Sequence, residues 1–223
     1  MSLDQKFDEL EKNLDRLRER FVAPHVQQLQ GDAHELDIKS YCILSHALFE
    51  QFIEDVCSAV AKNSMDRWNA QPREVTRPLV ALINFYGQKC STEITPTSKA
   101  HRCADVVRLS VDEAYRIYGN YIRQDNHGIT EKHLRALLWP VGIEVPSDVR
   151  FVGSLEQLTK NRGFHAHGYD IKKIIAPTEA LNWVNDCKEL SKEIKEDAKK
   201  FIGGAVVASS ATKKPSLLKR IFG

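Results

Sequence analysis

The sequence has few of the residues that interrupt helices, with 11 glycines and 8 prolines among 223 residues. It also has no sustained alternation of apolar and polar residues, which is the pattern of a half-buried β-strand. Hydrophobic residues make up 42% of the chain, which is enough apolar material for a core. These features together predict an all-α fold in the form of a helical bundle.

Several functional classes are excluded by what is missing. No P-loop, GxGxxG, HExxH or GxSxG motif occurs, which argues against a nucleotide-cofactor enzyme and a serine hydrolase. No apolar run approaches the roughly 18 residues of a membrane-spanning helix. The first ten residues, MSLDQKFDEL, lack the basic-then-apolar layout of a signal peptide. The five cysteines contain no CxxC pair, which favours reduced, buried thiols. We therefore expect a soluble, cytoplasmic protein with no membrane partner.

An excess of charge of one sign is also lacking, since 32 Lys and Arg residues face 30 Asp and Glu residues. Bulk charge therefore does not predict a nucleic-acid binder, because non-specific affinity grows with the number of phosphates neutralised. The only concentration of charge follows position 202, where no acid accompanies Lys213, Lys214, Lys219 and Arg220. We expect residues 203–223 to form a flexible, disordered basic tail. Its composition suits RNA, an acidic partner or a membrane surface, and we favour an unstructured solubilising end.

Apolar residues at helical spacing predict the first two helices. The first helix carries a seam that ends near Pro24 and consists of Leu3, Phe7, Leu10, Leu14, Leu17 and Phe21. The seam fits either a coiled coil with another chain or the face packed onto the chain's own bundle, and its short length favours the bundle. A second helix over about 35–63 has a wide apolar stripe, typical of a central helix, with Ile43, Ala47, Phe52, Val56 and Val60. We expect the bundle to span residues 1–202, with residues 1–34 as an N-terminal helix extension.

Breakers and caps place the remaining elements. Pro72 and Pro78 bracket the start of a helix that ends near Gly87, and residues 89–100, rich in Ser, Thr and Pro, predict a loop. Helical spacing returns over about 102–122. Three further helices are predicted after that, and their N-caps are Thr130, Ser147 and Thr178. The helix after Ser147 would bury Phe151, Leu155 and Leu158 and lead into the segment NRGFHAHG.

Residues 160–170, KNRGFHAHGYD, concentrate side chains suited to phosphoryl chemistry just past that predicted helix. Histidine exchanges a proton near neutral pH, and a guanidinium stabilises charge on phosphate oxygens. Together they meet the needs of metal-free RNA cleavage, in which a base activates the ribose 2′-hydroxyl and an acid protonates the leaving 5′-oxygen. On spacing alone, a plain helix end with Arg and His at the surface is the better interpretation.

Arg162 and His167, with four residues between them, form an R-x4-H motif, and Tyr169 extends it to R-x4-H-x-Y. This pattern resembles the signature of HEPN domains, small helical bundles of prokaryotic toxins, abortive-infection proteins and RNA-processing factors. SHALFEQFIEDV at residues 45–56 is similar to the second helix of the RiboL-PSP kind of HEPN family. HGITEKHLRALLWPVGIEV at residues 127–145 resembles their short helix before the motif. The resemblance covers about residues 35–200 and implies a HEPN-like bundle.

The resemblance implies a metal-independent endoribonuclease without a cofactor. Arg162 would contact the scissile phosphate, and His167 would transfer a proton at the 2′-hydroxyl or the leaving oxygen, which gives a 2′,3′-cyclic phosphate. HEPN domains usually form homodimers whose two motifs face one cleft, and this composite site would supply a second histidine. A role as a toxin or phage-defence effector is implied, with RNA as substrate and an antitoxin as a candidate partner. The alternative is a catalytically silent HEPN-like module that binds RNA or protein.

Three residues are candidates for supporting the motif: Asn161, His165 and Glu50. Glu50 either lines the cleft and orients Arg162 or, with Glu54 and Asp55, belongs to a solvated helix face in contact with His46.

Two positions bear on activity and its control. Gly163 follows the motif arginine where the family commonly has a polar residue, often Asn, and this departure puts the catalytic rate in question. Tyr169 matches toxins that a partner nucleotidyltransferase silences by adding AMP to this tyrosine. The other interpretation of Tyr169 is an ordinary packed aromatic side chain.

His165 and His167 also invite a metal-site interpretation, because HAHGYD resembles the HxHxD core of metallo-hydrolases. However, the Asp comes one position late, no second HxH follows, and zinc needs three or four converging ligands. A second set is weaker still because it lacks a CxxC pair: Cys90, His101 and Cys103. We therefore predict no metal site.

Overall fold

The computed structural model describes residues 1–25, 32–87, 103–167 and 175–202, and for residues 32–33, 103–105 and 162–167 it describes the backbone alone. Within these residues it has seven α-helices and no β-strand, which confirms the all-α prediction. The helices are α1 Leu3–Phe21, α2 Asp32–Asn69, α3 Arg77–Tyr86, α4 Cys103–Asn120, α5 Glu131–Leu138, α6 Val149–His167 and α7 Pro177–Ile202. The whole predicted loop at 89–100 and the whole predicted tail lie outside the described residues.

Helix α1 begins with a capping box, in which the Ser2 hydroxyl accepts from the Gln5 backbone N–H and the Gln5 side chain accepts from the Ser2 backbone N–H. Its seam is buried inside the chain's own core through Leu3, Phe7, Leu10 and Leu14. The Phe7 ring meets the Phe52 ring of α2 edge to face, with centroids 5.8 Å apart. The bundle interpretation of the seam is therefore confirmed, and the coiled-coil interpretation is wrong.

Helix α2 is central and contacts α1, α6 and α7 as well as the smaller helices. It continues past Asn63, the predicted end, because Ser64 and Met65 are still buried against neighbouring helices. The predicted stripe is only partly correct: Phe52, Val56 and Val60 are buried, whereas Ile43 is half-buried and Ala47 is exposed. A helix that packs on several sides does not bury one clean stripe, so periodicity located the helix better than it located each contact.

Helices α2 and α7 form a central pair with α1 and α6 on opposite sides, since α1 and α6 each contact both members of the pair. Ion pairs fix the directions. Lys6 of α1 pairs with Asp55 of α2 at 2.5 Å, and further along α1 the Glu11 carboxylate lies 3.6 Å from Lys188 of α7. Lys195 of α7 lies 3.2 Å from Asp4 and over the Phe7 ring. Helix α1 is thus antiparallel to α7.

Helices α3, α4 and α5 cover the far end of α2. Thr76 caps α3 by accepting from the Leu79 backbone N–H at 3.3 Å, and α3 ends before Gly87, as predicted. A π-helical turn, Tyr121–Asp125, follows α4 and was not predicted. A 3-10 turn, Trp139–Val141, follows α5 and ends at Gly142, whose φ of 74° is in the left-handed region that favours glycine. Among the described helices, none combines the length and the apolar character needed to cross a bilayer.

Two of the predicted N-caps are wrong by one or two residues. At the start of α6 the Arg150 backbone N–H donates to Asp148 Oδ1 at 2.9 Å, so Asp148 rather than Ser147 caps the helix. At the start of α7, Pro177 is already helical, and Thr178 lies inside the first turn. Proline suits that first position because it has no N–H to satisfy. Thr130 does stand at the N-cap of α5, although its hydroxyl contacts the His133 ring and not a backbone N–H.

Candidate functional site

The sequence placed the R-x4-H segment just past a helix, whereas in the structure α6 continues through Gly163 to His167. One glycine costs a helix only about 1 kcal/mol relative to alanine, which a packed helix tolerates. Arg162 and His167 are therefore in the last turns of one helix, with Cα atoms about 7.5 Å apart along its axis. Their side chains and that of His165 lie outside the part that the structure describes, and Tyr169 lies wholly outside it.

The first half of α6 anchors the helix in the core. Phe151, Leu155 and Leu158 are at most 2% exposed and belong to the main core cluster, as predicted from their spacing. The Ser154 hydroxyl donates to Asp186 Oδ2 of α7 at 2.6 Å, which fixes the register between these two helices. Because a short connection joins α6 to α7, the two helices are antiparallel.

The register also places the end of α6 beside one part of α2. At the other end of α7, the Arg67 side chain of α2 donates to the Phe201 carbonyl at 3.4 Å, so Arg67 and Phe201 are level. Asp186 lies about 22 Å before Phe201 on α7, and Phe52 lies the same distance before Arg67 on α2. Asp186 is therefore level with Phe52. Counting on about 12 Å from Ser154 towards Arg162 then reaches the stretch of α2 before residue 50. The motif backbone is therefore level with about residues 39–44 of α2.

The turns of α2 that follow this stretch carry buried polar groups. Ser45 and His46 are fully buried, and the Ser45 hydroxyl has no hydrogen-bond partner among the described atoms. His46 Nδ1 lies 3.7 Å from Glu50 Oε2, and the Glu50 side chain is only 15% exposed. Glu50 is therefore not part of a solvated face. Because burying polar groups on a core helix costs free energy, such a stretch is a candidate for a functional role.

A second polar cluster lies one turn further along α2 and was missed from the sequence. The Asn126 amide donates to Glu54 Oε1 at 2.7 Å, from the residue that ends the π-helical turn. Burial raises the pKa of Glu54, and the hydrogen bond from Asn126 opposes that shift. The nearby carboxylates of Glu50 and Asp55 add to the increase. The available signal was the segment QDNHG at residues 124–128, which interrupts the helical spacing after residue 122. The π-helical turn there is a further pointer, since such turns are frequent at functional sites.

The remaining candidates are placed more simply. Asn161 is half-buried, and its amide donates to the Gln157 carbonyl of the same helix at 2.8 Å. Within the described side chains, no group of three or more His, Cys, Asp or Glu residues is arranged to hold a metal ion. Cys90 and His101 lie outside the described residues, and Cys103 is described by its backbone alone.

The three cysteines whose side chains are described, Cys42, Cys57 and Cys187, are buried free thiols, as predicted. Burial raises the pKa of the Cys42 and Cys57 thiols to about 12, so neither is a thiolate at neutral pH. The described thiols therefore contribute no nucleophile to the site.

A family model described as RiboL-PSP-HEPN matches residues 2–200 of the chain. Neither the curated proteins nor the solved structures give a significant match.

Proposed function

The chain belongs to the RiboL-PSP-HEPN family, and from that premise we propose that it is a metal-independent endoribonuclease without a cofactor. One observation carries the proposal: the backbone of the R-x4-H motif forms the last turns of α6, in a chain that the RiboL-PSP-HEPN family model matches over residues 2–200. A helix end that carries Arg and His suits proton transfer at a phosphodiester.

Arg162 and His167 divide the chemistry between them. Arg162 neutralises the charge that builds on the phosphate oxygens, and His167 transfers a proton at the 2′-hydroxyl or at the leaving 5′-oxygen. The 2′-oxygen forms a bond to phosphorus while the bond from phosphorus to the 5′-oxygen breaks, which yields a 2′,3′-cyclic phosphate and a 5′-hydroxyl. Glu50 orients Arg162, and Asn161 and His165 support the motif.

The active unit in this proposal is a homodimer with a composite site. One histidine does not serve as base and acid at the same instant, and a symmetric pair of motifs supplies a second one. The biological setting that fits is a cytoplasmic toxin or phage-defence effector, whose activity an antitoxin partner restrains. A nucleotidyltransferase that modifies Tyr169 is the form of control that the sequence motif suits.

The test is cleavage of a mixed RNA pool in EDTA, with single-stranded DNA beside it. We expect RNA cleavage alone, and a loss of at least about 100-fold in Arg162→Ala and in His167→Ala, the lower range for a general acid or base. Arg150→Ala is the matched control, because Arg150 is exposed at the start of the same helix and pairs with Asp148. Wild-type rates in both motif variants, with folded protein by circular dichroism, would refute the assigned roles.

A second candidate function is a silent HEPN-like module that binds RNA or a protein. Gly163 favours it, because the polar side chain common at that position in the family is missing. Tight RNA binding by the wild-type protein, with the RNA intact at high protein concentration, would select this function over cleavage. Restoring the polar residue with Gly163→Asn would then show whether that position alone explains the silence.

A further inference from the structure

A groove lies far from the motif, between α3 and the chain that leads from α5 into α6. It has a volume of about 650 Å³, and Val152 in the second turn of α6 forms part of its wall. A second depression of about 540 Å³ adjoins it. The two depressions share four lining residues: Phe85, Glu131, Arg135 and Trp139.

The shared wall between the depressions exposes two large aromatic side chains. Trp139 is 41% exposed and Phe85 is 43% exposed, although the residues around Trp139 in sequence are buried to form the core. The Arg135 guanidinium lies 5.3 Å from the centroid of the Trp139 ring. Leaving aromatic rings in water forgoes the free energy of burial, so two of them around one groove make it a candidate binding surface.

The backbone under this wall is fixed. The Gly142 backbone N–H donates to the Trp139 carbonyl at 2.9 Å, and the Ile143 N–H donates to the Leu138 carbonyl at 3.0 Å. Leu138 and Ile143 are at most 1% exposed and anchor both ends of this turn in the core. Trp139 is therefore held on a rigid turn, which lowers the entropy lost when a ligand stacks on it.

Donors and acceptors surround the two rings. Arg135 pairs with Glu131, and Arg77 lies 3.7 Å from Glu144, with both Arg77 and Glu144 well exposed. Exposed ion pairs of this kind contribute little to the stability of the fold. Their side chains can therefore leave each other and bind charged groups of a ligand at little cost. Guanidinium groups donate to phosphates and base edges, and carboxylates accept from the amino groups of bases.

We propose that this groove binds single-stranded RNA, with successive bases stacked on Trp139 and Phe85. The choice of RNA rests on the proposed function, and the groove adds a binding site remote from the motif. Stacking on aromatic side chains beside arginines is how single strands are held without a fixed sequence. Two adjoining depressions with a shared aromatic wall suit consecutive bases better than the continuous surface of a protein partner. From Val152 to His167 the strand would follow α6 for about 22 Å towards the motif.

The experiment measures binding of a labelled, unstructured single-stranded RNA by fluorescence anisotropy, in EDTA and in a His167→Ala background that keeps the RNA intact. We expect Trp139→Ala to raise Kd by about 5- to 150-fold, the range for one stacked base. Trp139→Phe, which keeps an aromatic face, should stay within about threefold of the parent. An RNA duplex of the same length should bind more weakly than the single strand. Circular dichroism checks that each variant is folded.

Unchanged RNA affinity in Trp139→Ala would overturn the inference. If that variant also lost self-association in sedimentation, the groove would be an interface between copies of the chain. Because binding is measured apart from cleavage, the two proposals fail separately. A wild-type protein that does not cut RNA, yet binds it through Trp139, would refute the nuclease and keep the groove. A wild-type protein that cuts RNA, and whose Trp139→Ala variant binds RNA with unchanged affinity, would keep the nuclease and refute the groove.

Discussion

The two ends of α6 belong to one continuous helix, but the first end is apolar and the last turns carry Arg and His. The first end buries Phe151, Leu155 and Leu158 in the core and ties itself to α7 through Ser154. The last turns of the same helix carry Arg162 and His167. Rigid packing at one end therefore fixes the position of reactive residue types at the other. A site built on a helix extended in this way is held more precisely than one on a loop.

The sharpest way to test this contrast is to damage the buried end. Leu158→Ala should lower the free energy of unfolding by about 2–5 kcal/mol, because Leu158 is fully buried and the truncation leaves a cavity. Urea denaturation followed by circular dichroism measures the change. Val149→Ala on the same helix is the control, since Val149 is 82% exposed, and we expect it to stay within about 0.5 kcal/mol. A similar loss from both variants would mean that burial does not distinguish the positions.

The contact between α6 and α7 gives a smaller effect. Ser154→Ala should lower the free energy of unfolding by about 1–2 kcal/mol, the range for a hydrogen bond to a partly exposed carboxylate. A double-mutant cycle with Asp186→Ala isolates the pair from other losses. If the two substitutions are additive, the hydrogen bond does not contribute to the register of α6.

The smallest effect concerns the contact between Glu54 and Asn126 and is a dependence on pH. Burial raises the pKa of Glu54 above its ordinary 4.5, so the folded protein keeps this proton to a higher pH than the unfolded chain does. The contribution of Glu54 to the free energy of unfolding is therefore greatest below about pH 4.5 and decreases as the pH rises through the folded-state pKa. Glu54→Gln should remove that decrease.

Urea denaturation of wild type and Glu54→Gln between pH 4 and 7 measures the difference. Asp8→Asn is the control, because Asp8 is an exposed acid on α1. Parallel pH profiles for the wild type and Glu54→Gln would contradict the assigned environment of Glu54.

Much of the fold follows from local patterns in the sequence. The α1 seam and the buried residues of α6 were predicted because each repeats at helical spacing over several turns. Details decided by tertiary contacts were not: Ala47 falls on the apolar stripe of α2 yet is exposed, and Asp148 replaces Ser147 as the cap of α6. Ser147 and Asp148 both suit an N-cap, so the local sequence does not choose between them. Likewise, the position of Ala47 on the stripe does not show whether a neighbouring helix covers it.

The candidate site was predictable in part. The motif residues and the helix before them were predicted from the sequence, but the continuation of that helix through the motif was not. Glycine can interrupt a helix, and α6 nevertheless continues through Gly163. The contact between Glu54 and Asn126 joins residues 72 positions apart, and no local pattern reports such a pair. The groove beside Trp139 was missed for a similar reason, because the exposure of an aromatic residue depends on what its neighbours leave uncovered.

The most direct test of the proposed chemistry uses an RNA with one 2′-deoxynucleotide at a mapped cleavage position. Attack by the 2′-hydroxyl requires that oxygen, so we predict that the bond after the deoxynucleotide stays intact in EDTA. The remaining bonds should be cut to 2′,3′-cyclic phosphate ends by the wild-type protein and not by His167→Ala. Cleavage after the deoxynucleotide, or products with free 3′-hydroxyl ends, would contradict the account.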